Sequence, residues 1–181
     1  MWSGGTVPLT IAGFDETVAD GDTITVEPYS VEPNRHAGPY AHQISWFFPE
    51  LKIAHTGDTL FSLGCGRIFE GDAEMMWASL STLKRKLPAD TTIYCGHEYT
   101  QSNARFSLTI EPDNAALKAR AAEVDTLRAA GKPTLPTTMA QELATNPFLR
   151  ANEPSVKAAL GMTAASDADV FAEIRTRKDK A

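Results

Sequence analysis

Apolar and polar positions divide the chain into two textures. Up to about Gly96 the apolar residues come in short runs broken by turn chemistry: DTITVEPYSVE, QISWFF, LKIAHTG and TTIYCG, with ADGD and PELK between them. Such runs, rich in Val, Ile, Thr and aromatic residues, predict strands. One segment inside this half differs. In DAEMMWASLSTLKRKL, Met75, Met76, Ser79, Leu80, Leu83 and Leu87 recur at helical spacing and Asp72 stands at the N-cap position. A helix lying on a sheet face is predicted there.

Beyond His97 the spacing is helical. Helices are predicted over NARFSLTI, over NAALKARAAEVDTLRAAG with Asp113 or Asn114 as its cap and Gly131 closing it, over TMAQELATN stopped before Pro147, and over DADVFAEIRTRKD. Between the second and third, KPTLPTT reads as a proline-stiffened connector. The expected architecture is an α/β segment over residues 1–97 followed by a small all-α domain over 98–181.

Composition narrows the function classes. The chain has 181 residues, 43% of them hydrophobic, and a formal charge of -6, so it can bury one good core and does not present a nucleic-acid surface overall. The terminal IRTRKDKA is basic against that background. Two cysteines, Cys65 and Cys95, form neither a disulfide framework nor a zinc-type CxxC pair. No window is apolar for long enough to span a bilayer, and Met1-Trp2-Ser3-Gly4-Gly5 lacks the regions of a signal peptide. A cytoplasmic protein, or an organelle protein without its transit peptide, is expected, with no membrane partner.

Candidate chemistry sits at strand ends. IAHTGDTLF runs an apolar strand into Gly57-Asp58, and TTIYCGHEYT does the same into Gly96-His97. A carboxylate and an imidazole from neighbouring strand ends suit a zinc, iron or manganese site. The plainer readings are a turn-capping Asp58 and a hydrogen-bonded His97 at a domain junction.

Longer phrases decide between them. HTGDTLFSLGCGRIFEG, YCGHEYT, EPDNAALKAR, GKPTLPTT, ATNPFLR and RTRKD occur in an order that closely resembles glyoxalase II, the hydroxyacylglutathione hydrolase branch of the metallo-β-lactamase fold, from about Ile11 to Lys178. The resemblance implies an αββα sandwich with a helical C-terminal domain that binds glutathione, two metal ions (zinc, with iron or manganese as other occupants), and hydrolysis of S-D-lactoylglutathione to D-lactate and glutathione. It implies that Asp58 bridges the metals and that His97 ligates the second. It also implies substrate contacts by Arg67, Tyr99, Asn103, Arg175 and Lys178, the last two being a basic pair suited to the carboxylates of glutathione. As a charge run alone, RTRKDK would be a solvated helix end. Phe69 stands where many relatives have tyrosine.

The departures are equally specific. The family motif T-H-x-H-x-D-H is not in the chain, so the pattern is entered after it, and the first strands of the sandwich are expected to be missing. An exposed sheet edge and association through it follow, whereas intact relatives are monomers. In HAGPYAHQIS, where relatives have T-P-G-H-T-x-G-H-I-S, aligning Ile44-Ser45 puts Pro39 on the ligand position and Gln43 on the later histidine. His36 and His42 flank that position and read as exposed loop histidines. The codons CAC GCC GGG CCA TAC for residues 36–40, followed by G and shifted one nucleotide, spell T-P-G-H-T, so a compensated pair of frameshifts over 34–43 is encodable. Two remaining ligands are too few to hold a dinuclear centre tightly. The readings that follow are a thioester hydrolase, a metal-poor remnant with a glutathione-conjugate surface, and another reaction on the same fold such as sulfur dioxygenation or lactone hydrolysis. The helical domain with its basic pair disfavours the third.

Overall fold

The computed structural model describes residues 3–4, 17–19, 21–36 and 43–181. Its centre is a six-stranded mixed sheet in the order β10-β9-β6-β5-β4-β3. The strands are β3 (Ile24–Val26), β4 (Tyr29–His36), β5 (Gln43–Phe48), β6 (Ile53–Gly57), β9 (Thr92–Cys95) and β10 (Thr137–Thr138). A parallel pair, β1 (Ser3–Gly4) with β2 (Thr17–Val18), and an antiparallel hairpin, β7 (Leu60–Phe61) with β8 (Gly64–Cys65), stand beside it. β3 to β6 form an antiparallel meander, and β6 then runs parallel to β9. The crossover between those two carries α1 (Ala73–Lys86).

α1 forms where the spacing predicts it. The Asp72 carboxylate accepts from the Met75 amide at 2.8 Å and caps the helix. Met76, Ser79, Leu80 and Leu83 turn inward, and Met76, Leu80 and Leu83 pack with Phe47, Ala54 and Ile93 of the sheet. Met75 departs from the expected stripe and is exposed, its sulfur lying by Gly71 instead.

The second half is helical: α2 (Thr100–Ile110), α3 (Ala115–Ala129), α4 (Met139–Thr145), α5 (Pro154–Ala159) and α6 (Asp167–Asp179). Asn114, not Asp113, caps α3, accepting from the Leu117 amide at 3.1 Å. Gly131, at φ +69°, takes the left-handed turn that ends it. α2 begins three residues before the predicted NARFSLTI. α5 has only six residues, too few to show a period. KPTLPTT is more than a connector. Thr137 and Thr138 pair with Ile93 and Thr92, returning a strand from the helical half to the sheet edge.

The segment 34–43 also differs from expectation. His36 is a strand residue by its backbone, in register with Gln43, so β4 continues as far as His36. Pro39 and His42 lie outside the described residues.

The two halves share one apolar core, in which Met76, Leu80 and Ile93 cluster with Phe106, Phe148 and Phe171, and they are also joined by polar contacts around one tight turn. Leu63 sits at φ +58° between β7 and β8, a conformation that costs a branched residue about 1–2 kcal/mol. Its side chain is fully buried against Ala104, Leu117 and Ala121, and burial of a leucine stabilises by roughly 1.5–3 kcal/mol, which offsets the strain. The Glu142 carboxylate accepts from Leu63 N–H (2.8 Å), Ser62 Oγ (3.1 Å), Thr137 Oγ1 (2.7 Å) and Asn146 Nδ2 (3.0 Å). Burial pushes its pKa up, and those four donors pull the other way without cancelling it.

Removing this carboxylate strands the buried Leu63 N–H and Ser62 hydroxyl and takes one acceptor from Thr137 and Asn146, so Glu142→Ala is expected to lose about 3 kcal/mol in urea unfolding. Glu142→Gln should lose much less, because its amide can face the two hydroxyls while its oxygen keeps the two N–H donors. The raised folded-state pKa has a defined sign. Wild type gains most over Glu142→Gln below the ordinary value of 4.5, and that advantage falls as pH rises through the folded-state pKa.

Candidate functional site

Parallel pairing of β6 with β9 sets Gly57 opposite Cys95, with an irregularity after His55. Both strands end at the same edge, and the residues that leave it are Asp58 and His97. The turn is tied by Gly96 N–H, which donates to Gly57 O at 2.8 Å, and by the Cys95 thiol, which donates to His97 O at 3.3 Å. Gly96 is required by space: a Cβ there would stand 2.5 Å from Asp58 Oδ1 and 3.3 Å from the Gly57 carbonyl carbon. Asp58 Oδ1 lies 3.5 Å from His97 Nε2.

These two side chains open into a cavity of about 550 Å³. Arg67, Tyr99, Asn103, Arg175 and Lys178 line it as well, so all seven residues singled out from the sequence face one space. Aromatic rings form part of the wall. His97 stacks on Tyr99 with centroids 5.4 Å apart, and Phe61 meets Tyr99 edge-on at 5.4 Å. Phe69, also lining the cavity, is 63% exposed.

The three cations are not equivalent. Arg175 has a side chain only 8% exposed, and its guanidinium is largely committed: Nε and Nη2 donate to Asp179 Oδ1 at 3.1 and 2.8 Å, and Nη1 donates to Cys65 O at 3.2 Å. It also lies over the Phe148 ring at 5.1 Å. Arg67, by contrast, is 70% exposed, with Nε 4.0 Å from the same Asp179 oxygen. Lys178 Nζ donates to Ser102 O at 3.3 Å above the Phe106 ring. Burial, and then the nearby positive charges of Arg175 and Arg67, lower its pKa. Arg67 and Lys178 are thus the less engaged cations, whereas Arg175, which the resemblance pairs with Lys178, lines the same cavity but is buried beside Asp179 and Cys65.

Sequence reasoning passed over Phe61 and Asp179. Asp179 was findable, since it stands four residues after Arg175 on one helix. Asn103 is buried, its amide donating to Ser62 O at 3.0 Å. Cys65 lines the cavity, but burial pushes its thiol up to about 12, which leaves no thiolate to act as a nucleophile.

Whether a metal fits can be judged from the donor pair. A tetrahedral ion with nitrogen and oxygen donors at about 2.0–2.2 Å holds neighbouring donors roughly 3.5 Å apart. Asp58 and His97 match one edge of such a site. They do not complete it, because among the described residues no group of three or more His, Cys, Asp or Glu side chains is placed to hold an ion. His55, the other histidine of this region, stacks on Tyr94 at 5.5 Å and does not line the cavity.

The crowding at the turn makes a direct expectation. Gly96→Ala should displace the Asp58 carboxylate from His97, visible in a crystal structure of the variant, and lower stability by about 1–3 kcal/mol in urea unfolding.

Comparison with known proteins adds the family. A model described as the metallo-beta-lactamase superfamily matches residues 7–97, and one described as the hydroxyacylglutathione hydrolase C-terminus matches residues 98–181. Among solved structures, ETHE1 from Myxococcus xanthus superposes with a TM-score of 0.55 at 21% identity, covering 88% of this chain and 51% of that one. A metallo-beta-lactamase from Staphylococcus aureus gives 0.53 at 17%, covering 89% and 42%. At such identities they establish the fold alone. Among helices of the described residues, none is long and apolar enough to cross a membrane. Among curated proteins, the hydroxyacylglutathione hydrolases of Mesorhizobium japonicum and Brucella anthropi are each 53% identical over 169 residues. That stretch is 93% of this chain but 66% and 65% of the relatives, so the chain spans just under two thirds of their length. With both halves matched in order and half the residues shared with such relatives, the chain belongs to the metallo-β-lactamase superfamily and, within it, to the hydroxyacylglutathione hydrolase (glyoxalase II) family.

Proposed function

We propose that the chain acts in glutathione-thioester hydrolysis, converting S-D-lactoylglutathione and water to D-lactate and glutathione. One observation carries the reading: Asp58, His97 and the cations Arg67 and Lys178 share a single cavity. A thioester of glutathione asks for that combination, since its carboxylates need fixed positive charge and its carbonyl needs an activated water. Membership of the superfamily implies metal ions, and zinc, with iron or manganese as substitutes, is the proposed occupant.

In this reading Asp58 and His97 would be the metal donors. A metal so held would lower the pKa of water toward 7 and polarise the carbonyl. The chain's own residues do the rest. Arg67 and Lys178 take the carboxylates of the glutathione part, and Arg175 holds the last turn of α6 against Cys65 so that Lys178 faces the cavity. Tyr99 and Asn103 give polar contacts along the tripeptide, and Phe69 adds an apolar one where a hydroxyl would otherwise stand. Hydrolysis breaks the C–S bond, forms a C–O bond, and releases the thiol.

The donor set, incomplete among the described residues, supports a second reading, in which the chain keeps the glutathione-conjugate surface without turnover. Metal content and turnover of S-D-lactoylglutathione, measured on the same purified sample, separate the two. The hydrolase reading expects stoichiometric metal, with turnover falling more than roughly 100-fold in Asp58→Ala. Neither metal nor turnover, with S-methylglutathione still bound, establishes the second reading in its place.

Lys178 gives a further expectation. Because its pKa lies below the ordinary 10.5, it sheds charge earlier as pH rises, and carboxylate binding should weaken in step. Lys178→Arg stays charged throughout. The ratio of wild-type to Lys178→Arg affinity for S-methylglutathione, measured by calorimetry from pH 7 upward, should therefore fall before pH 10.5.

A further inference from the structure

His97 and Tyr99 face the cavity from a four-residue passage between β9 and α2. The residue between them, Glu98, is turned to other partners. Its Oε1 accepts from the Thr134 amide at 2.8 Å and from the Thr134 hydroxyl at 2.7 Å, and Arg128 Nη1 stands 3.5 Å away. Thr134 belongs to the connector between α3 and β10, and that connector is itself secured. Arg120, a buried guanidinium, donates to Thr134 O at 2.9 Å, and Arg128 donates to Lys132 O at 3.0 Å. Glu98 thus fixes the passage to a braced segment of the helical half.

The passage needs such a fixing. Tyr99 is the N-cap residue of α2, yet its side chain makes no capping hydrogen bond. The rings of His97 and Tyr99 stack on one another and meet Phe61 edge-on, and His97 Nε2 also lies 3.5 Å from Asp58 Oδ1. Stacking fixes the spacing of two rings but lets them slide together. A short bidentate anchor on the intervening residue removes that freedom, in the way supporting contacts make a binding site precise.

We propose that Glu98 is a positioning residue, which holds the His97–Tyr99 shelf in register with the cavity by anchoring it to Thr134. It touches no ligand and acts through Tyr99 and His97. The proposal rests on the reading of this cavity as the glutathione-conjugate site. All the anchor bonds end on one oxygen of Glu98, so their geometry needs an acceptor there and not a negative charge. Glutamine supplies that acceptor.

Calorimetric titration of the full chain with S-methylglutathione, a thioether that is not hydrolysed, tests this. Glu98→Ala should weaken binding about tenfold, and Glu98→Gln should stay within about twofold of wild type. Thr134→Val, which removes only the hydroxyl donor, should weaken it about threefold, and serves also if the alanine variant does not fold. A general loss of structure would not respect the shelf, so the decisive comparison is made in a Tyr99→Ala background. There Glu98→Ala, or Thr134→Val in its place, should cost less than twofold, because Tyr99, the shelf residue proposed to touch the tripeptide, is gone, and His97 is not a contact of S-methylglutathione. An undiminished loss in that background, no loss in either single variant, or a loss in Glu98→Gln equal to that in Glu98→Ala would each overturn the proposal while leaving the cavity reading intact. Absence of binding by the wild-type chain would overturn both.

Discussion

Much of this structure depends on a buried carboxylate that meets four donors. Glu142 reaches from α4 into the β7–β8 turn, and neighbouring side chains complete what it begins. Asn146 donates to Phe61 O and Gly64 O, Asn103 to Ser62 O, and Ser107 to Leu63 O. The backbone of residues 61–64 therefore finds its partners in side chains of α2, α4 and the residue after α4, not in a long ladder of its own. Buried polar networks are stabilising only when every member is satisfied, and here the turn, the strained Leu63 and the two halves of the chain are satisfied together. That arrangement also sets the cavity floor, since Phe61 and Cys65 flank the turn and Asn103 is pinned to it.

The fold was legible where it is written in period and capping. The α1 stripe, the Asp72 cap, the Gly131 turn and the strands ending at Gly57 and Gly96 are local features, and the chain builds them where local chemistry places them. What depended on distant partners was not legible. Thr137 and Thr138 look like connector residues because nothing nearby says that Ile93 and Thr92 will pair with them. The β7–β8 hairpin is similarly invisible, because a non-glycine turn at Leu63 is unfavourable until Glu142 and the Ala104–Leu117–Ala121 cluster surround it. His36 shows the same limit. It was read in a loop by alignment to a motif, whereas its backbone continues β4.

At the site, residue identity was easier to read than residue condition. Seven positions were named from sequence, and the structure gathers them around one cavity. Sequence could not show that Arg175 is buried and engaged while Arg67 is exposed, because both are arginines near a cleft. Environment separates them: Asp179 and the Cys65 carbonyl take most of the Arg175 donors. A fixed, partnered guanidinium is suited to shaping a wall, and an exposed one to meeting an incoming carboxylate.

The same separation applies to the donor pair. Asp58 and His97 lie at the ends of two parallel strands in register, the crevice position at which open α/β sheets generally present ligand groups. Their 3.5 Å spacing is set by backbone: the bond from Gly96 to Gly57 closes the turn, and the lack of a Cβ at Gly96 leaves room for the carboxylate. Both side chains of this edge are partly exposed to solvent. The cationic side of the cavity is built separately, because Arg67 follows β8, Lys178 stands on α6 and Tyr99 precedes α2. The Asp58–His97 pair and the cations Arg67 and Lys178 are thus built by different parts of the chain around one cavity.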